Sequence, residues 1–180
     1  MEASDEQLMT AYRDGNAGAF DSLYARHKGP LFRYVLRGIK DQNRAVAEEL
    51  YQEIWIRIIE ARKRYSPTAR FTTWLYTIAH NRLVDHWRHK ELVEVPPPDE
   101  EPPAGLDADP ARQAEAREML ERFAKALADL PRAQREAFLL HEEAGLAALD
   151  IAAVTLSEPE AVKSRLRYAF AKLKEAAENG

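Results

Sequence analysis

Between Arg64 and Lys90 the chain reads RYSPTARFTTWLYTIAHNRLVDHWRHK, and these residue types suit recognition of unpaired nucleic acid. From Arg57 to Lys90 the cations are Arg57, Arg62, Lys63, Arg64, Arg70, Arg82, Arg88 and Lys90, against Glu60 and Asp85. That is a local charge of +6 in a chain whose formal net charge is −4. Cations track a sugar–phosphate backbone, aromatic rings stack on bases, and small polar groups read exposed base edges. Phe71, Trp74 and Trp87 could equally be core. The chemistry therefore depends on which face each residue occupies.

Those faces are set by helical spacing. RYSPTAR, with Pro67 at its middle, reads as a short loop, and a helix follows from Phe71. Its apolar arc holds Trp74, Leu75, Ile78, Ala79 and Leu83; the opposite arc holds Thr73, Thr77, His80, Asn81, Val84 and Arg88. Upstream, Ser4-x-x-Gln7 is a capping-box pattern before a first short helix. Asp14-Gly15-Asn16 ends that helix. A second carries Phe20, Leu23, Tyr24 and His27; Gly29-Pro30 punctuates it, and Leu31, Tyr34 and Val35 resume the pattern. Asp41-Gln42-Asn43 offers a cap for a third helix, from about Arg44 to Arg64. There Leu50, Ile54 and Ile58 form a buried stripe. Tyr51, Trp55 and Ile59 lie one step round, so the apolar surface is wider than one neighbour needs. It is either packed on two sides or a partner-binding face.

The composition changes at Glu91. ELVEVPPPDEEPPAGLDADP contains Pro96, Pro97, Pro98, Pro102, Pro103 and Pro110, seven carboxylates and no cation. It reads as a semi-extended acidic linker between two helical domains. After it, Met119, Phe123, Ala126, Leu127 and Leu130 mark one helix and Ala137, Phe138 and Leu140 the next. A short helix follows over about Ala147 to Val154, then a break at Thr155-Leu156-Ser157 and a long final helix. Ser157-x-x-Glu160 predicts a capping box there, with Pro159 in the first turn. In that helix Val162, Leu166, Ala169, Phe170 and Leu173 share one arc. Glu160, Ser164, Arg167, Tyr168 and Ala171 lie opposite, flanked by Lys163, Arg165, Lys172 and Lys174. A strip of this kind reaches base edges in a major groove while its flanking cations meet phosphates. A short helix, a tight turn and a longer basic helix resemble a helix-turn-helix.

Composition narrows the function classes. With no cysteine among 180 residues, disulfides and thiolate chemistry are excluded. No apolar run approaches the roughly 20 residues a membrane span needs. MEASDEQLMT lacks a cationic start with an apolar segment, so no secretory signal is expected, and the expected location is cytoplasmic with no membrane insertion. His141-Glu142-Glu143 has no histidine four residues on. His80 and His86 do not share a helix face. Neither a catalytic residue, a metal site nor a cofactor is expected, and the protein is not expected to be an enzyme.

Taken together the motifs resemble the extracytoplasmic-function (ECF) group of bacterial RNA polymerase sigma factors, which keep the second and fourth sigma regions. They are DEQLMTAYRDGNAGAFDSLYARH, AEELYQEIWIRII, FTTWLYTIAHNRLVDHWRH, LADLPRAQREAFLLHEEAGL and EAVKSRLRYAFAKLKE. The resemblance implies an all-α fold of two small helical domains. Residues 1–90 would be a region 2 bundle, 91–110 the acidic Pro-rich linker, and 111–180 a region 4 helix-turn-helix. It implies that Leu50, Tyr51, Gln52, Glu53, Ile54 and Trp55 bind the clamp helices of the polymerase beta-prime subunit. Tyr65, Arg70, Phe71, Thr73, Trp74, Tyr76, Thr77, Asn81, Arg82 and Arg88 would bind and open the minus-ten element, the loop from Tyr65 to Arg70 holding a flipped base. Glu160, Lys163, Ser164, Arg165, Arg167, Tyr168 and Lys172 would contact the minus-thirty-five duplex. Partners implied are core RNA polymerase, promoter DNA and an anti-sigma factor. The pattern departs at Leu156, where glycine is usual. A leucine at positive φ there would cost about 1 kcal/mol. The competing reading, a helix-turn-helix regulator with an N-terminal adaptor, predicts tight duplex binding without polymerase.

Overall fold

The computed structural model describes residues 2–92 and 110–179, and among them all regular structure is helical. Helix α1 spans Asp5–Arg13, α2 Ala17–Gly38, α3 Arg44–Ala61, α4 Phe71–Leu92, α5 Pro110–Asp129, α6 Arg132–Glu142, α7 Ala148–Thr155 and α8 Pro159–Glu178. The linker expected over residues 91–110 lies outside the described residues except at its ends. Glu91 belongs to the last turn of α4 and Pro110 opens α5.

Local chemistry sets most boundaries. The Ser4 hydroxyl accepts from the Gln7 amide at 3.2 Å, and the Gln7 side chain accepts from the Ser4 amide at 2.9 Å, so the capping box at α1 is complete. Gly15, at φ +110°, turns the chain, and Asn16 caps α2. Asn43 caps α3. Beyond α3 a 3-10 turn, Arg62–Arg64, delivers the chain to the loop before α4.

Two expectations fail. Gly29-Pro30 does not interrupt α2, which runs through Pro30. An interior proline costs roughly 3 kcal/mol through its missing N–H and its ring, but Leu23, Leu31, Tyr34 and Val35 are buried along one side of the continuous helix. That burial outweighs the local preference. The second is the capping box at Ser157. Pro159 takes the first helical position, which makes Glu158 the N-cap, without a side-chain bond. The Ser157 hydroxyl instead accepts from Arg165 Nη1 at 2.8 Å.

The N-terminal module packs α1 to α4 around Met9, Leu31, Tyr34, Ile54, Phe71, Leu75 and Leu83, all buried. The C-terminal module packs α5 to α8 around Leu127, Leu139, Ile151, Val162 and Ala169. The two modules also meet: α6 lies on α2, and α7 lies on α4. This contact changes the face assignment of α4. Leu75, Ala79 and Leu83 of the predicted inner arc are buried, but so are Tyr76 and Trp87, while Thr77, His80 and Val84 of the outer arc are half-covered. Helix α4 carries apolar residues around most of its girth because it has neighbours on more than one side.

Candidate nucleic-acid interface

The loop ahead of α4 is pinned at both ends. At its start the Tyr65 ring is buried, edge-on to Trp74 at 5.2 Å and to Phe71 at 6.2 Å between centroids. Arg13 Nη1 donates to the Tyr65 carbonyl at 3.3 Å. At its end the Phe71 amide donates to Glu6 Oε1 at 2.8 Å, so α4 is capped by a carboxylate from α1. That bond holds the Glu6 carboxyl below its ordinary range. Burial, with the nearby Glu6 and Asp5 carboxylates adding to it, pushes the Tyr65 phenol up. Between the pins, Ser66, Pro67, Thr68, Ala69 and Arg70 are exposed.

The expected single-strand residues therefore divide. Arg70, Asn81 and Arg88 are exposed, and Thr73, Trp74 and Thr77 are half-buried. Tyr65, Phe71 and Tyr76 are core, at 2%, 0% and 1% exposure, and present no ring to a ligand in this conformation. They fix the loop and Trp74 from beneath. Thr77 Oγ1 donates back to the Thr73 carbonyl at 2.7 Å. The Thr73 hydroxyl is buried without a hydrogen-bond partner.

Internal pairing thins the charge. Arg82 bonds Glu53 on α3, and this bond lowers the Glu53 carboxyl below its ordinary range. Lys90 pairs with Asp41, and Arg57 with Asp85 at 3.6 Å. Arg62 lies over the Tyr12 ring at 5.7 Å. Lys63, Arg64, Arg70 and Arg88 are exposed and have no ion-pair partner among the described residues. These four, not the full cationic set, are available to phosphates. The sequence carries no direct signal for this division, since Glu53 and Asp41 lie far from Arg82 and Lys90 along the chain.

On α3, Leu50, Ile54 and Trp55 are buried, Tyr51 and Glu53 half-buried, and Gln52 exposed. Trp55 sits in an aromatic cluster with Phe20 at 5.8 Å, Tyr24 at 4.9 Å and Tyr51 at 6.2 Å between centroids. Tyr51 meets Phe32 edge-on at 5.4 Å. The outward surface is completed by Tyr24, 37% exposed, and Ile56, 54% exposed; helical spacing had marked Tyr24 on α2 but not Ile56. Buried aromatics beneath a partly exposed apolar rim are a chemistry that protein-binding faces share.

In the C-terminal module, Leu156 ends α7 at φ 52°, ψ 45°, so the non-glycine residue does take the left-handed conformation. Its side chain is 93% exposed. Helix α8 turns Glu160, Lys163, Arg167, Tyr168 and Lys172 to solvent, with Ser164 half-buried. Arg167 lies over the Tyr168 ring at 5.6 Å. Lys163 pairs with Glu160 at 2.7 Å and Lys172 with Glu175 at 3.4 Å. Arg165 is half-buried and lines the space between the modules instead of the outer face. Among the described residues no group of three metal-ligating side chains converges, and no helix is long and apolar enough to cross a membrane.

Comparison with known proteins places this geometry. Residues 23–92 match the Sigma-70 region 2 family, and residues 120–173 match Sigma-70 region 4. RNA polymerase sigma factor CarQ of Myxococcus xanthus is 33% identical, over 93% of this chain and 94% of that protein. The ECF RNA polymerase sigma factor SigC of Mycobacterium tuberculosis is 32% identical, over 93% and 90%. The structure of CnrH, solved in complex with the cytosolic domain of CnrY, aligns with a TM-score of 0.69 at 25% identity, covering 96% of each chain. The sigma factor RpoE of Bartonella quintana, solved with the anti-sigma factor NepR, shares the fold with a TM-score of 0.70 at 22% identity, covering 87% of this chain and 95% of that one. With two sigma regions in order and near-complete coverage of relatives at this identity, the chain belongs to the ECF group of RNA polymerase sigma factors.

Proposed function

We propose that this sigma factor, which serves promoter-specific transcription, opens the promoter itself as well as recruiting it. Core polymerase docks on the α2–α3 face through Tyr24, Tyr51, Gln52 and Ile56. The loop from Ser66 to Arg70, with Trp74 behind it, takes up a base from the non-template strand near minus ten. Asn81, Thr73 and Thr77 line the strand's path, and Lys63, Arg64, Arg70 and Arg88 hold its phosphates. Glu160, Ser164, Arg167 and Tyr168 face the minus-thirty-five duplex. The relatives solved with CnrY and NepR support an anti-sigma factor as a further partner.

The observation that carries this reading is the exposed loop pinned at both ends, by Tyr65 and Arg13 on one side and by Glu6 on the other. A loop held in shape before binding loses little entropy when it takes a base. Flipping a base costs a few kcal/mol, and stacking returns about 1–3 kcal/mol. Melting is then near balance, and contacts of the polymerase tip it. Run-off transcription with core enzyme, with permanganate footprinting of unpaired thymines, tests the reading. Promoter-dependent reactivity around minus ten is expected. Transcripts without such reactivity, or failure to bind core enzyme, would overturn it.

A further inference from the structure

Helix α8 leaves one cation without a role. Arg165 is half-buried and stands apart from the outward strip of Glu160, Arg167 and Tyr168. Its Nη1 donates to the Ser157 hydroxyl at 2.8 Å, and it has no carboxylate partner among the described residues. It lines a cavity of about 500 Å³ walled by α4, α6 and the turn into α8. Small-molecule sites occupy roughly 300–1,000 Å³.

The charges of that wall are unevenly matched. Arg132 lies over the Trp87 ring at 4.9 Å and pairs with Glu91 at 2.9 Å. Asp85 pairs with Arg57 at 3.6 Å. Glu136 Oε1 accepts from Tyr34 Oη at 2.9 Å and is also bonded to His80 Nδ1. The Glu136 side chain is 9% exposed, so its charge sits behind the wall. Arg88 of α4 lines the same cavity, and like Arg165 it has no ion-pair partner among the described residues. Two guanidinium groups from different modules are thus left without a counter-charge in one concave space.

A recess lined by one sign of charge concentrates ions of the other sign. Guanidinium forks match phosphate oxygens two at a time, more closely than a lysine does. The Asn81 amide and the Ser157 hydroxyl add neutral polar groups to the wall, and Val84, Ala137 and Leu156 make part of it apolar. An inorganic ion would use only the polar part. A phosphorylated molecule with an organic body would use both.

We propose that this cavity binds a small phosphorylated metabolite of the nucleoside diphosphate class. Arg88 and Arg165 hold its phosphates, and its organic body lies against Val84 and Leu156. An occupied site withholds Arg88 from the phosphates of a DNA strand. That consequence rests on the proposed role of Arg88 in strand binding, and a titration without DNA reads the site independently of it.

Isothermal titration of the full chain at low ionic strength, with ribonucleoside diphosphates and with inorganic pyrophosphate, tests the proposal. At least one nucleoside diphosphate should bind saturably, one per chain, and more tightly than pyrophosphate. Arg88→Ala and Arg165→Ala should each weaken it by about tenfold or more, as loss of a charged hydrogen-bond partner does. Arg165→Lys should weaken it less, because the charge stays and the fork is lost. Arg117→Ala, an exposed change on α5 outside the cavity, should leave it unaltered. Circular dichroism melts accompany each variant. Should Arg165→Ala fail to fold for want of its bond to Ser157, the exposed Arg88 decides the matter. No saturable binding by any of the nucleotides, or binding that Arg88→Ala leaves unmoved, would overturn the site. Equal affinity for pyrophosphate would overturn the assignment to a nucleotide.

Discussion

Replacing Glu6 by alanine tests how the exposed loop ahead of α4 is held. The Phe71 amide would lose its acceptor at 2.8 Å, and the start of α4 would lose a carboxylate. A missing helix cap costs about 0.5–2 kcal/mol, and loss of negative charge at a helix N-terminus about 0.3–1 kcal/mol. The two overlap, so about 1–2 kcal/mol is the expected total. For a module of this size each kcal/mol lowers the midpoint by about 4–8 °C. Glu6→Gln keeps an acceptor and should recover more than half of the loss. Circular dichroism melts at neutral pH read both values. The pH dependence supplies a sign. Glu6 in the folded chain titrates below its ordinary value of 4.5, chiefly through the Phe71 bond. Its contribution is therefore fully present above that value and fades as pH falls through the lower, folded one. The difference between native protein and Glu6→Gln should shrink on acidification over that window. Equal melts for native protein and Glu6→Ala at neutral pH, or equal losses for alanine and glutamine, would refute the claim that this bond fixes the loop.

Trp74→Ala should impair promoter opening, read by permanganate reactivity, while leaving core binding near native in pull-downs. For the proposed polymerase face the informative change is Ile56→Asp, since Ile56 is exposed whereas Trp55 is 6% exposed. Ile56→Asp should weaken core binding at unchanged melting temperature, and Trp55→Ala should destabilise the module by about 3–5 kcal/mol. Leu156→Gly removes a side chain from positive φ and should raise stability by up to about 1 kcal/mol in denaturant unfolding. Arg167→Ala should change upstream-element preference in competition binding, whereas Lys172→Ala should lower affinity evenly across sequences.

The punctuation of the chain was readable because it is local. Ser4 with Gln7, Asp14-Gly15-Asn16, Asn43 and the turn at Leu156 each act within a few residues, and each appears where expected. Pro30 was misleading because its cost is local while the burial that overrides it comes from neighbouring helices. Ser157 was misleading because a proline two residues later moves the helix start. The faces of α4 were only half readable. A helical period identifies one buried side, and α4 is covered on a second side by α7. Pairings such as Arg82 with Glu53, or Glu136 with Tyr34 and His80, join residues 29, 102 and 56 positions apart, and no periodicity reaches that far.

Helix α8 carries five cations and three carboxylates, and each of its lysines already has an acidic neighbour one turn away. A phosphate must compete with an anion the helix brings along, so few condensed counterions are set free on contact. Ionic strength should then affect upstream binding only gently. If α8 reads the upstream duplex as proposed, it should linger poorly on random DNA, its residence at a true site lent by whatever else is fastened to the same chain.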